Sequence, residues 1–139
     1  MTRPRTYGLI CVGSAIGSLA RAGIEALYAT TPPDFPWATL SINIGGAFAM
    51  GLLSWALLYL AGPPSWARPL IGIGVLGGFT TYSTFAVESV QMLAAGRALG
   101  AIVYIVVSFV GGVAAIRLGH VAMRRWLASA NTIDSGGAS

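Results

Sequence analysis

Four stretches of this chain are each long and apolar enough to cross a lipid bilayer. Two of them, residues 37–60 and 98–116, contain no charged side chain. A spanning helix needs about 20 apolar residues, so a chain of 139 residues has room for four such spans and short connections. Charged residues make up 9% of the chain, as eight Arg and four acids. Soluble domains carry roughly 25%, and so few charges cannot cover a water-exposed surface with polar groups. Disorder is excluded as well, because it requires low hydrophobicity and high net charge, whereas 55% of these residues are hydrophobic. The sequence pI of about 9.8 rests on a net charge of only +4. No basic cluster interleaves with aromatics as nucleic-acid binding would need. The expected class is an all-α integral membrane protein of four transmembrane helices.

The spans are expected at about residues 7–28, 37–60, 69–95 and 98–116. Thr30-Thr31-Pro32-Pro33-Asp34-Phe35-Pro36 and Ala61-Gly62-Pro63-Pro64 are turns rich in helix breakers. Residues 1–128 form one expected domain, and residues 129–139 a polar tail expected to be disordered. The N-terminal tail runs into the first span without a convincing cleavage site, so no removable signal peptide is expected. Cys11 and His120 are each the only residue of their type. A lone Cys11 excludes an internal disulfide and a metal site of cysteine spacing, a lone His120 argues against a histidine-based metal site or a Ser-His-Asp triad, and no enzymatic activity is expected. Four short helices enclose little space, so a transport pathway would need more than one subunit.

The 19 glycines include small-residue pairs at helical spacing: Gly13/Gly17, Ala47/Gly51, Gly96/Gly100 and Ser108/Gly112. Such pairs let helix backbones approach closely in lipid. The segment from Gly72 to Phe85 is different, because four glycines precede the hydroxyl run Thr80-Thr81-Tyr82-Ser83-Thr84 in mid-span. Glycine weakens a helix, and Thr and Ser can satisfy freed backbone groups. The third helix is therefore expected to break near the bilayer midplane, where broken backbone is tolerated only inside protein or along a cavity.

Several side chains in these spans are expensive unless used. Asn43 is either an interhelical hydrogen-bonding group or an amide donor to a passing anion. Tyr82 and Phe85 share a helix face. Their ring edges can touch an anion, though core packing is the ordinary role of such a pair. Tyr104 and Ser108 make a hydroxyl stripe in span four, unless the serine bonds back to its own helix. Arg21 and Glu25 are spaced to pair, and Arg21 can also attract anions to an entrance. Glu88 is a proton carrier, a paired structural group or part of a polar lining, and the sequence does not rank these.

Three segments together resemble the Fluc (CrcB) family of fluoride channels. They are Gly13-Ser14-Ala15-Ile16-Gly17-Ser18-Leu19-Ala20-Arg21, then Thr39-Leu40-Ser41-Ile42-Asn43-Ile44-Gly45-Gly46, then Gly77-Gly78-Phe79-Thr80-Thr81-Tyr82-Ser83-Thr84-Phe85. The resemblance implies an antiparallel (inverted) dimer in the cell membrane, with two passive fluoride pathways lined by both subunits. It implies Asn43, Tyr82, Phe85, Tyr104, Ser108 and Glu88 along the pathway, and Arg21 at its vestibule. It also implies a structural Na⁺ on the dimer axis, held by backbone carbonyls of Gly77 and Thr80. Two positions depart from the family pattern: Tyr82 stands where the family has a first Phe, and Gly112 where some relatives carry a rail Ser.

Four spans put both termini and the second loop on one side of the membrane. That side carries Arg3, Arg5, Arg68, Arg117, Arg124 and Arg125, whereas the other carries Arg97 and Asp34. Such a bias favours one orientation. The partner is therefore either a second copy in the opposite orientation, as the resemblance implies, or a paralogue of opposite bias. Two other functions compete with the fluoride channel. A proton-coupled small-multidrug-type exporter would rely on Glu25, and an assembly subunit without transport would need none of these polar residues.

Overall fold

The structure, a computed structural model, describes residues 2–28, 34–60 and 62–136. Helix α1 covers Arg3–Leu27 and has Pro4 in its first turn, where the missing N–H would have no partner. Helix α2 covers Trp37–Tyr59. The third span, Arg68–Ala94, is composite. It opens with a π-segment, Arg68–Leu76, and continues as the single turn α3, Gly77–Phe79, and as α4, Tyr82–Ala94. Helix α5 covers Ala98–Gly136. Among the described residues all regular structure is helical, and four helices are long and apolar enough to span a membrane.

The tail expected to be disordered is helical in its backbone as far as Gly136. At 1.5 Å per residue α5 is about 58 Å long, roughly twice the hydrocarbon thickness. Residues 30–33 and 61, parts of the two predicted turns, lie outside the described residues.

Glycine sets the packing within the chain. The π-segment lies against α1, backbone to backbone. A Cβ on Gly13 would stand 2.9 Å from the Gly74 Cα, and one on Gly74 equally close to the Gly13 Cα. Ser14 and Ser18 of α1 donate to the carbonyls of Gly74 and Gly78 at 3.5 and 3.4 Å. The second seam joins α2 to α5, where Gly51 meets the Ile116 carbonyl and Gly119 the Phe48 carbonyl. Gly13, Gly17 and Gly51 thus serve contacts inside one chain. Gly96/Gly100 is not a helix-face pair, because Gly96 has φ +74° and turns the chain between α4 and α5.

The third helix does break, but not at its glycines. Thr80 (φ −76°, ψ 152°) and Thr81 (φ −141°, ψ 123°) are extended between α3 and α4. The glycines before them remain helical, Gly72 and Gly74 in the wide π-segment and Gly77 and Gly78 in the α-turn that follows it. Helices form around the break because both ends are capped by hydroxyls. Thr80 Oγ1 donates to the Leu76 carbonyl at 3.0 Å, closing the first half. Thr81 Oγ1 accepts the Thr84 N–H at 3.2 Å, which satisfies an orphan donor at the start of α4.

Candidate functional site: the groove at the helix break

The break is held by α2. Asn43 Nδ2 donates to the Thr81 carbonyl, and the Thr81 N–H donates to Asn43 Oδ1, both at 2.9 Å. In an unbroken helix the Thr81 N–H would serve the Gly77 carbonyl. With that bond replaced, no backbone hydrogen bond outside the helices ends on the Gly77 or Thr80 carbonyl among the described residues. Gly46, one turn after Asn43, makes room for the break, since any Cβ there would collide with the Thr80 methyl.

Around this junction lies an open depression of about 260 Å³, lined by Asn43, Thr80, Thr81, Tyr82, Phe85, Ser108 and Phe109. Three separate helices and the break thus bring Asn43, Tyr82, Phe85 and Ser108 together. Asn43 has spent one of its two amide hydrogens on Thr81 and keeps the other. Ser108 Oγ is buried without a hydrogen-bond partner. Its behaviour is unlike that of Ser41, Ser54 and Ser89, which each donate back four residues to their own helix at 2.7 Å. Tyr82 stands 77% exposed at the rim. Phe85 is buried between two further rings, with Phe109 edge-on at 6.1 Å and Tyr104 tilted at 5.1 Å.

Tyr104 and Glu88 do not line this depression. They form a cluster on the far side of Phe85, in which Glu88 Oε1 accepts from Thr39 Oγ1 and Oε2 from Tyr104 OH, both at 2.8 Å. Tyr104 is fully buried and Thr39 nearly so. Each oxygen of this half-buried carboxylate therefore has a hydroxyl donor, which offsets its loss of water. Phe85 separates this cluster from the groove.

Arg21 and Glu25 do not form the ion pair their spacing suggested. Arg21 Nε and Glu25 Oε1 are buried without hydrogen-bond partners. The ion pair present among the described residues joins Arg97 and Asp34 at 3.2 Å on the exposed loop side. Three contributors escaped the sequence reading. Thr81 lay within the quoted hydroxyl run, Thr39 one helical turn before Asn43, and Phe109 beside Ser108. Only Thr39 carried a usable signal, as a second polar residue on the Asn43 face.

A family model described as "CrcB-like protein, Camphor Resistance (CrcB)" matches residues 8–120, most of the chain and all four spans. The chain belongs to the CrcB family. Among similar CrcB proteins is the "Fluoride-specific ion channel FluC 1" of Mycobacterium bovis, 40% identical over 121 residues, covering 87% of this chain and 92% of that protein. The "Fluoride-specific ion channel FluC" of Sphingopyxis alaskensis is 39% identical, covering 84% of this chain and 93% of its own. That of Hyphomonas neptunium is 41% identical, covering 84% and 94%. The two departures expected from the family pattern sit at the groove rim and beyond it: Tyr82 is exposed, and Gly112 faces open space.

Proposed function

We propose that this CrcB protein is a fluoride-selective passive channel that lets fluoride leave the cell and so limits its toxicity. The observation that carries the reading is the groove itself. It combines the amide of Asn43, the unpartnered Ser108 hydroxyl and the rings of Tyr82 and Phe85 at the break within the third span. The names of the similar proteins supply the ion. Fluoride is small and strongly hydrated, so a pore must replace its water with close donors. Amide, hydroxyl and ring-edge contacts do this without a fixed full charge, which would bind the ion too tightly for flow. Larger chloride is too big for a narrow track of this kind.

The groove is open on one side, which supports completion by a second subunit. We read the assembly as a dimer of inverted subunits with two pathways, either two copies of this chain or this chain with an oppositely biased paralogue. Glu88, paired with Thr39 and Tyr104, extends the polar track beyond Phe85. Arg21, with Nε unpartnered, attracts anions at the mouth. The carbonyls of Gly77 and Thr80, freed by the break, are hard oxygen donors suited to Na⁺. Gly77 is exposed, so its counterpart in a second subunit can approach. The ion would lock the two breaks together at the dimer axis.

Fluoride efflux from liposomes containing the purified protein tests this function. Flux well above that of empty liposomes is expected, with chloride excluded. Folded protein that gives no fluoride flux overturns the reading, and proton-coupled drug exchange in its place would favour the exporter.

A further inference from the structure

A second groove, of about 690 Å³, lies at the other end of α2, toward the side of the termini. Its walls are Met50, Leu53 and Leu57 of α2 and Ile73 of the π-segment, and Ser65 and Arg68 stand at its mouth. The groove exists because the π-segment packs on α1 through Gly13 and Gly74 and touches α2 only lightly. Gly72 has no side chain to fill the gap.

We propose that this groove is a binding site for an anionic phospholipid, with one acyl chain between α2 and the π-segment and the phosphate at Arg68 and Ser65. The walls offer water little, because the Ser54 hydroxyl on them is already donated to the Met50 carbonyl at 2.7 Å. Buried water needs two to four polar partners. Arg68 is the only charged residue of the lining and makes no ion pair among the described residues. It is the first residue of the third span, which sets it at headgroup depth. Trp66, two residues earlier and 43% exposed, marks the same depth as an interfacial aromatic. Arg3, Arg5, Arg117, Arg124 and Arg125 belong to the same side of the membrane and draw anionic lipid toward it. Charge complementarity at the mouth and apolar walls below it match one class of ligand. The site is separate from the Asn43 groove and does not depend on the ion conducted.

Native mass spectrometry of the intact protein in detergent tests the site, with phosphatidylglycerol and phosphatidylcholine of matched acyl chains as probes. Phosphatidylglycerol should be retained about five-fold more strongly, the worth of one well-placed arginine near an anionic headgroup. Arg68→Gln should abolish that preference, whereas Arg68→Lys and Arg3→Gln should keep it. Ile73→Trp should weaken binding of both lipids by filling the groove. Equal retention of the two lipids, or an unchanged preference in Arg68→Gln, overturns the proposal. So does displacement of the lipid by inorganic phosphate alone, which would leave the acyl groove without a role. Efficient disulfide cross-linking of two Ile73→Cys chains in membranes, on a Cys11→Ala background, would show that a second copy covers the groove and would also overturn it.

Discussion

Asn43 and Thr81 hold each other by both ends: the side-chain amide of one pairs with the backbone N–H and carbonyl of the other, at 2.9 Å in each direction. A side chain here stands in for the neighbouring turn of helix. That substitution lets a chain stop being helical for two residues inside a membrane, where water cannot satisfy the freed groups. Asn43→Ala removes both partners at once. It should destabilise the fold by about 1–3 kcal/mol for each backbone group left unpaired. Thermal unfolding in detergent measures the loss, and an Asn43→Ala protein as stable as the parent would show that the break does not depend on α2.

Ser108 predicts the opposite pattern. Its hydroxyl makes no bond in the chain, so Ser108→Ala should leave stability within about 0.5 kcal/mol, as for substitutions away from structural features. Fluoride flux should nevertheless fall, since the groove loses a donor. Ser41→Ala, which removes an exposed hydroxyl that bonds to its own helix at 2.7 Å, is the control and should leave flux unchanged.

Phe85 is the wall between the groove and the Glu88 cluster. Phe85→Ile keeps an apolar but smaller side chain and should cost about 0.5–3 kcal/mol in stability, as for ordinary core substitutions. It removes the ring edge, so liposome flux should drop while size-exclusion chromatography shows assembly largely intact. Parent-like flux from the folded variant would remove the aromatic contact from the mechanism.

The hydroxyls of Thr39 and Tyr104 both serve Glu88, so their effects should not add. A double-mutant cycle of Tyr104→Phe and Glu88→Gln, read by thermal unfolding, should give a coupling of about 0.5–3 kcal/mol, as for residues sharing a hydrogen-bond network. Simple additivity would mean that the cluster is not a unit.

The α1 seam leaves no space for a methyl group. Gly13→Ala should destabilise by about 1–3 kcal/mol through overpacking, because its Cβ would press on backbone atoms of the π-segment that cannot yield. Gly8→Ala, with nothing near its Cβ, should be neutral or slightly stabilising, since alanine favours a helix interior. Melting temperatures of the two variants in the same detergent separate these outcomes.

The number and approximate limits of the spans were legible from the sequence, because apolar length and missing charge act locally and leave a membrane protein no alternative. The need for a broken third helix was legible too, from four glycines and a hydroxyl run in one span. Its position was not. Gly74 and Gly78 read as breakers but are used for close approach to α1, Gly72 faces Leu53 of α2, and the break falls on Thr80 and Thr81. A helix breaks where outside groups can satisfy its backbone, and the group that does so here, Asn43, lies 38 residues away. The same distance hid the Glu88 cluster, whose members Thr39, Glu88 and Tyr104 come from three helices and show no common spacing. Arg21 and Glu25 fail to pair although i,i+4 spacing favoured it. The sequence by itself determined that this chain lies in a membrane as four helices with polar residues it must use. Only the tertiary structure decided which polar groups satisfy one another and which, like the Ser108 hydroxyl, are left without a partner in the chain, because hydrogen-bond partners in lipid are chosen by helix packing and not by neighbours in the chain.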